Sequence, residues 1–121
     1  MAEIILSNRM QALTDMVTPG TVITDVGCDH GFVSVYLVQK GISPRVIAMD
    51  VRPGPLEHAR EHIREYGLED RIETRLSDGL HSLKTGEAAG MICAGMGGPL
   101  MEKILTEGRE QAKGFRELNL Q

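Results

Sequence analysis

Tryptophan is absent from the 121 residues, and tyrosine and phenylalanine occur only twice each. A sheet of aromatic rings of the kind on which single-strand-binding proteins stack successive bases is therefore not expected. Basic side chains are also scarce: 13 Lys and Arg stand against 17 Asp and Glu, for a formal net charge of −4. That balance argues against a dedicated nucleic-acid-binding domain with a broad basic face, although it leaves room for a local patch. No apolar run approaches membrane-spanning length, and Met1-Ala2-Glu3-Ile4-Ile5-Leu6 is too short and too acidic for a secretion signal. Cysteine is limited to Cys28 and Cys93, both at the ends of apolar runs, which points to reduced thiols and a cytoplasmic protein. The length suits one domain with a modest core.

What is present is a regular alternation of helical and strand patterns. Ser7 to Val17 reads as a helix, with Ser7 as its cap and Met10, Leu13 and Val17 at helical spacing. Pro19-Gly20 breaks it before a strand over Thr21 to Asp25. A helix follows from Phe32 to Lys40, stopped by Gly41. Arg45 to Asp50 is a second strand. Pro53 to Tyr66 is the clearest helix, striped by Leu56, Ala59, Ile63 and Tyr66 and ended by Gly67. Ile72 to Leu76 and Ala88 to Ala94 read as further strands. Pro99 then opens a helix carrying Leu100, Met101, Ile104 and Leu105, and Phe115 to Gln121 has the pattern of a fifth strand. Strands that are apolar throughout, alternating with helices, predict an α/β fold: a Rossmann-like parallel sheet with helices on both faces. A sheet that stops on its fifth strand is expected to be incomplete, with later strands beyond Gln121.

Ligands of such sheets bind outside the carboxyl ends of the strands. Four predicted strand ends carry acids or glycines: Asp25-x-Gly27-x-Asp29-x-Gly31, Asp50, Asp78-Gly79 and Gly95-Met96-Gly97-Gly98. Each alone is weak, because a glycine after a strand is usually a turn and an acid there is usually a cap. Together, in this order, they predict a nucleotide-like site. Asp29 stands where a dinucleotide loop carries its middle glycine, and a carboxylate there repels a pyrophosphate. It suits a ligand with an ammonium and a sulfonium, S-adenosyl-L-methionine. Gly27 and Gly31 are then expected to admit the cofactor to the backbone. Asp50, about twenty residues past the loop, is placed to accept the ribose hydroxyls. Asp78 is placed to accept the adenine amino group, with Gly79 keeping that wall thin. Asp25, Cys28, Val51, Ala94 and Gly95 complete the expected cofactor-binding set. Asp29 is expected at the amino-acid end of the cofactor or facing the substrate, with His30 beside it.

Some patterns are set aside. His58-Ala59-Arg60-Glu61-His62 matches a zinc-peptidase spacing, but no further ligand is apparent and both histidines are placed on the solvated face of their helix, so no metal is expected. Lys84-Thr85 lacks the glycine that a phosphate loop needs. Cys28 has no evident base beyond His30, and a nucleophilic role is not favoured.

Taken together, Leu6-Ser7-Asn8-Arg9-Met10, Asp25-Val26-Gly27-Cys28-Asp29-His30, Gly54-Pro55, Ser77-Asp78-Gly79-Leu80 and Ala94-Gly95-Met96-Gly97-Gly98 resemble successive motifs of the bacterial tRNA (adenine-N1)-methyltransferase family. The resemblance runs from Leu6 to Gln121. One departure is Met49-Asp50, where relatives often carry Gly-Glu, and the carboxylate survives it. The resemblance implies methylation of tRNA adenine 22 from S-adenosyl-L-methionine, and a helical C-terminal domain beyond this single methyltransferase domain. It also implies catalytic roles for Asp29, His30, Gly95 and Met96. Asp29 would act on the adenine amino group or its developing charge, and the Ala94-Gly95-Met96 turn would grip the base through its carbonyls. Arg9 and Arg52 are the expected phosphate contacts. The alternatives are a methyltransferase acting on a small molecule or a protein, and a cofactor-binding piece without turnover.

Overall fold

The computed structural model describes residues 4–121. Its five strands, β1 (Ile23–Val26), β2 (Val46–Asp50), β3 (Ile72–Leu76), β4 (Gly90–Cys93) and β5 (Glu117–Leu120), form one sheet. Every pairing is parallel, and the spatial order is β3-β2-β1-β4-β5. The helices are α1 (Asn8–Asp15), α2 (Phe32–Gln39), α3 (Pro53–Glu65), α4 (Gly98–Glu107) and α5 (Arg109–Ala112). Among them none is long and apolar enough to cross a membrane.

The pleat sorts the strand residues between two cores. Ile23, Val46, Ala48 and Ile92 point to one face and pack with Leu13 of α1, Val35 of α2 and Leu56, Ala59 and Ile63 of α3. Val26, Ile47, Met49, Met91 and Cys93 point to the other and pack with Met101 and Ile104 of α4. Because both faces are covered, the inner strands β1, β2 and β4 are buried at every position. That explains why their sequences show no polar alternation.

At the β3 edge the chain places charge. Arg75 donates to Glu73 at 2.7 Å and grips Glu87 with two bonds of 2.7 and 2.6 Å, and Arg45 reaches Glu73 at 2.8 Å. Such an edge resists pairing with another strand.

The expected elements are all found, with small shifts. Ser7 caps α1 by accepting from the Met10 amide at 3.4 Å. β1 begins two residues later than expected, because the Thr21 amide is taken up in a turn to the Thr18 carbonyl. The Ala88 to Ala94 pattern yields ladder pairing only over β4, although the Ala89 amide still bonds Val22. The four-residue α5 was not anticipated: Arg-Glu-Gln-Ala carries no apolar period. Met1 to Glu3, read as the start of a non-signal segment, lie outside the described residues.

Candidate functional site

β1 is paired on one side with β2 and on the other with β4. The chain therefore leaves these two central strands in opposite directions and opens a crevice at their carboxyl ends, the switch point of the sheet. The loop after β1 bends over β2, with the amides of Gly27 and Cys28 both donating to the Met49 carbonyl, at 2.8 and 2.9 Å. A tight turn follows, closed by the Gly31 amide on the Cys28 carbonyl at 2.8 Å. Asp29 sits in this turn at φ 51°, a left-handed conformation that aspartate tolerates better than most side chains.

Asp50 ties this loop to its neighbour. One carboxylate oxygen accepts from the Asp29 amide and the other from the Arg52 amide, each at 2.9 Å. The Asp50 carbonyl accepts from Ser77 at 2.9 Å, so the loops after β1, β2 and β3 meet at one buried residue. A carboxylate has about four acceptor positions, and these two amides leave the others for a diol.

Asp25 lies deeper, 3% exposed, and accepts from Ser34 Oγ at 2.7 Å. Burial pushes its carboxyl up to about 7. The Ser34 bond opposes the rise, and the charges of Asp50 and Asp29 add to it. The same burial and the same acids push the Cys28 thiol far up, so it stays protonated at neutral pH, the form least suited to attack. The floor of the crevice is thus acidic. Its rim is mixed: Asp29 and Asp78 are exposed there, and so is Arg52, with its guanidinium 3.9 Å from Asp29 and 3.7 Å from Asp50.

The facing wall comes from β4. The Gly95 amide donates to the Gln121 carbonyl at 3.0 Å, which fixes the turn that carries Met96. Met96 reaches back over Gly27: a Cβ on Gly27 would stand 2.6 Å from Met96 Cε. After β3, Ser77 Oγ donates to the Gly79 carbonyl at 2.8 Å and accepts from the Ser82 amide at 3.0 Å. This leaves the Asp78 side chain exposed at the cavity edge.

The cavity measures about 560 Å3, within the range of small-molecule sites. Asp25, Gly27, Cys28, Asp29, His30, Asp50, Val51, Asp78, Gly79, Ala94, Gly95 and Met96 all line it, together with Arg9 and Arg52. Gly31 does not. It caps α2 at φ 80°, and a Cβ there would stand 3.0 Å from the Cβ of Ala59 on α3. Its part in this geometry is to let α2 and α3 close on each other.

That close approach also corrects the placement of the α3 histidines. Positions 58 and 62 precede the buried Ala59 and Ile63 by one residue, about 100° around the helix, so they flank the apolar stripe instead of opposing it. His62 is half-buried with Nδ1 2.8 Å from the His30 carbonyl, and His58 stacks on His30 at 5.0 Å between centroids. Among the described residues, no group of three or more His, Cys, Asp or Glu converges as metal ligands. Sequence reading missed Ser34 under Asp25, and the cavity-lining Ser7, Met10, Phe32, Val33, Leu100 and Ile104. The capped opening motif around Ser7 was the one available signal.

A parallel sheet in this order, with acids and glycine turns gathered at its switch point, defines the class: the chain belongs to the methyltransferase-domain family, whose model matches residues 6–121. Over its whole length it is 36% identical to the tRNA (adenine(22)-N(1))-methyltransferase of Bacillus subtilis, and covers 51% of that protein. The crystal structure of the B. subtilis m1A22 tRNA methyltransferase TrmK matches with a TM-score of 0.91 at 34% identity, over 96% of this chain and 50% of that one. A Streptococcus pneumoniae protein crystallised with S-adenosyl-L-methionine matches with a TM-score of 0.92 at 32% identity, over 96% of this chain and 55% of that one. The chain thus spans about half the length of each. The Rossmann-like methyltransferase sheet expected from the sequence is the fold that these proteins share.

Proposed function

We propose that this chain binds S-adenosyl-L-methionine in the switch-point cavity and takes part in methyl transfer to N1 of adenine 22 in tRNA. The observation that carries this reading is one cavity with buried carboxylates on its floor and the Ala94-Gly95-Met96 turn on its facing wall, in a chain 36% identical to an enzyme of that activity.

The residues fit the cofactor. Asp50 offers its remaining acceptor positions to the ribose hydroxyls, and Asp78 offers an exposed carboxylate to the adenine amino group. Gly27 brings bare backbone to the cavity wall, and Cys28 and Val51 supply apolar contact. Asp29 sets negative potential near a ligand that carries an ammonium and a sulfonium, and Asp25 lies beneath it as a hydrogen-bonding carboxyl. Bound there, S-adenosyl-L-methionine supplies a methyl group on positive sulfur, which keeps the electron pair as the methyl leaves.

The remaining work is positioning and charge. The attacking N1 of adenine is a ring lone pair, so no strong base is needed for attack. Asp29, at the rim with an exposed carboxylate, stabilises positive charge that grows on the adenine. His30 stands beside it, with Nε2 3.9 Å from Asp29 Oδ1. Carbonyls of the Ala94-Gly95-Met96 turn accept from the adenine amino group. Arg9 and Arg52 take phosphates, and a paired adenine must be unstacked to enter.

Incubation of the protein with labelled S-adenosyl-L-methionine and unmodified tRNA tests the reading. Label on wild-type tRNA, and none on tRNA with guanine at position 22, is the expected result. A second reading, cofactor binding without turnover, is favoured by the chain's covering about half of its relatives. S-adenosylhomocysteine binding with no labelled tRNA would select it.

A further inference from the structure

Three of the four histidines and one of the two phenylalanines gather at a single place. His30 lies parallel to His58 within 22° at 5.0 Å between centroids, and to Phe32 within 17° at 6.0 Å. Phe32 lies over His62 at 4.6 Å and 27°. His62 is pinned, because the His30 carbonyl is an acceptor only; Nδ1 of His62 therefore carries the proton of their 2.8 Å bond.

The cluster borders the candidate site. His30 and Phe32 line the cavity, Phe32 is 40% exposed, and His58 is open to solvent. Packing does not account for this, since a phenylalanine left half in water beside two imidazoles stabilises the core little. The surrounding charge also differs from that of the cavity floor: the floor holds Asp25 and Asp50, whereas the rim pairs the exposed Asp29, 3.9 Å from His30 Nε2, with the exposed guanidinium of Arg52. A stack of near-parallel rings whose outer members, Phe32 and His58, reach solvent beside a cation is what an unstacked nucleotide requires. The rings meet the base, and the cation meets its phosphate. A count of Phe, Tyr and Trp does not reveal such a surface, because it is built mostly of imidazoles.

We propose that His30, Phe32 and His58, with His62 behind them, form a stacking platform for an unpaired RNA base next to the reacting adenine. This rests on the reading of tRNA as the substrate. Stacking on one ring is worth roughly 1–3 kcal/mol per base, so loss of one ring is expected to weaken binding about tenfold.

The test measures binding of labelled pentaadenylate and of an abasic ribose-phosphate chain of equal length, with wild-type protein and with Phe32→Leu, His58→Ala and His58→Phe. Thermal melting reports folding of each variant separately. The expected result is about tenfold weaker pentaadenylate binding for Phe32→Leu and His58→Ala, wild-type binding for His58→Phe, and no change with the abasic chain. Absence of pentaadenylate binding by the wild type, or unchanged binding by both Phe32→Leu and His58→Ala, overturns the platform. So does an equal loss on the abasic chain, or a His58→Phe variant as weak as His58→Ala, since either result makes the contact one of charge. Ring-dependent pentaadenylate binding without methyl transfer to tRNA supports the platform and overturns only the functional reading.

Discussion

The buried carboxylate of Asp50 accepts the backbone N–H of Asp29 at 2.9 Å, which holds the glycine loop of β1 against the end of β2. The second oxygen does the same for Arg52. Asp50→Asn replaces one acceptor with an NH2 group that must face an amide donor. A buried donor left unsatisfied costs about 1–3 kcal/mol, and the loop that shapes the cavity loosens with it. Urea unfolding is expected to shift by that amount, and S-adenosylhomocysteine affinity measured by calorimetry to fall at least about tenfold. A variant with wild-type stability and affinity would remove Asp50 from the site.

Gly27 and Met96 meet across the cavity, and two separate costs attach to a side chain at position 27. The backbone there has φ 76°, which disfavours any L-residue by roughly 1–2 kcal/mol. The new Cβ would also stand 2.6 Å from Met96 Cε. Gly27→Ala is expected to destabilise the protein through both. Adding Met96→Ala relieves only the clash, so the double variant should recover part of the loss attributable to Gly27→Ala. A double-mutant cycle by urea unfolding measures the coupling. Strict additivity would show that the methionine swings away freely.

The strand ends were legible because both faces of the sheet are covered. Val46-Ile47-Ala48-Met49 reads as a continuous apolar run that stops on an acid, and the glycines from Gly95 to Gly98 mark the break between β4 and α4. What escaped depends on contacts between elements. Ser34 lies on α2 in a run of apolar residues, and nothing local marks it as the donor to Asp25. Gly31 reads as a cofactor glycine, and nothing local reveals that it also packs against Ala59. His58 and His62 both look solvated on an isolated helix; His58 is indeed exposed, although it stacks on His30, whereas the docking of α2 on α3 half-buries His62 against Phe32. The wall made by Ser7 and Met10 requires knowing that α1 folds back over the crevice.

Arg75 and Glu87 form a two-bond pair at 2.7 and 2.6 Å that anchors the loop before β4 to the sheet edge. Glu87 also accepts from the Lys84 amide at 2.6 Å. The Arg75 hydrogen bonds, chiefly, hold the Glu87 carboxyl down at about 2. A depressed acid stabilises the fold above its ordinary value of 4.5, and that stability is lost as pH falls toward 2. Glu87→Gln is therefore expected to be less stable than wild type at pH 6 by about 1–2 kcal/mol, given the partial exposure of the pair. The gap should close as the buffer approaches pH 2. A gap that persists at low pH would assign it to packing instead of charge.

Asp25 behaves in the opposite sense. Burial raises its carboxyl from an ordinary 3.8 to about 7, so between these values the folded chain keeps a proton that the unfolded chain has released. Stability from this group is present in full below about pH 4, falls as pH rises through the window, and is level above about pH 7. A rise of that size corresponds to a loss on the order of 4 kcal/mol. Asp25→Asn keeps an acceptor for Ser34 and cannot titrate, so the stability of wild type relative to this variant should decline steadily from pH 4 to pH 7. Any constant offset from the amide is separate from that slope. Urea unfolding of both proteins at half-unit steps reads the slope directly, and a difference that does not vary with pH would place an ionised carboxylate beneath the cavity at all these values.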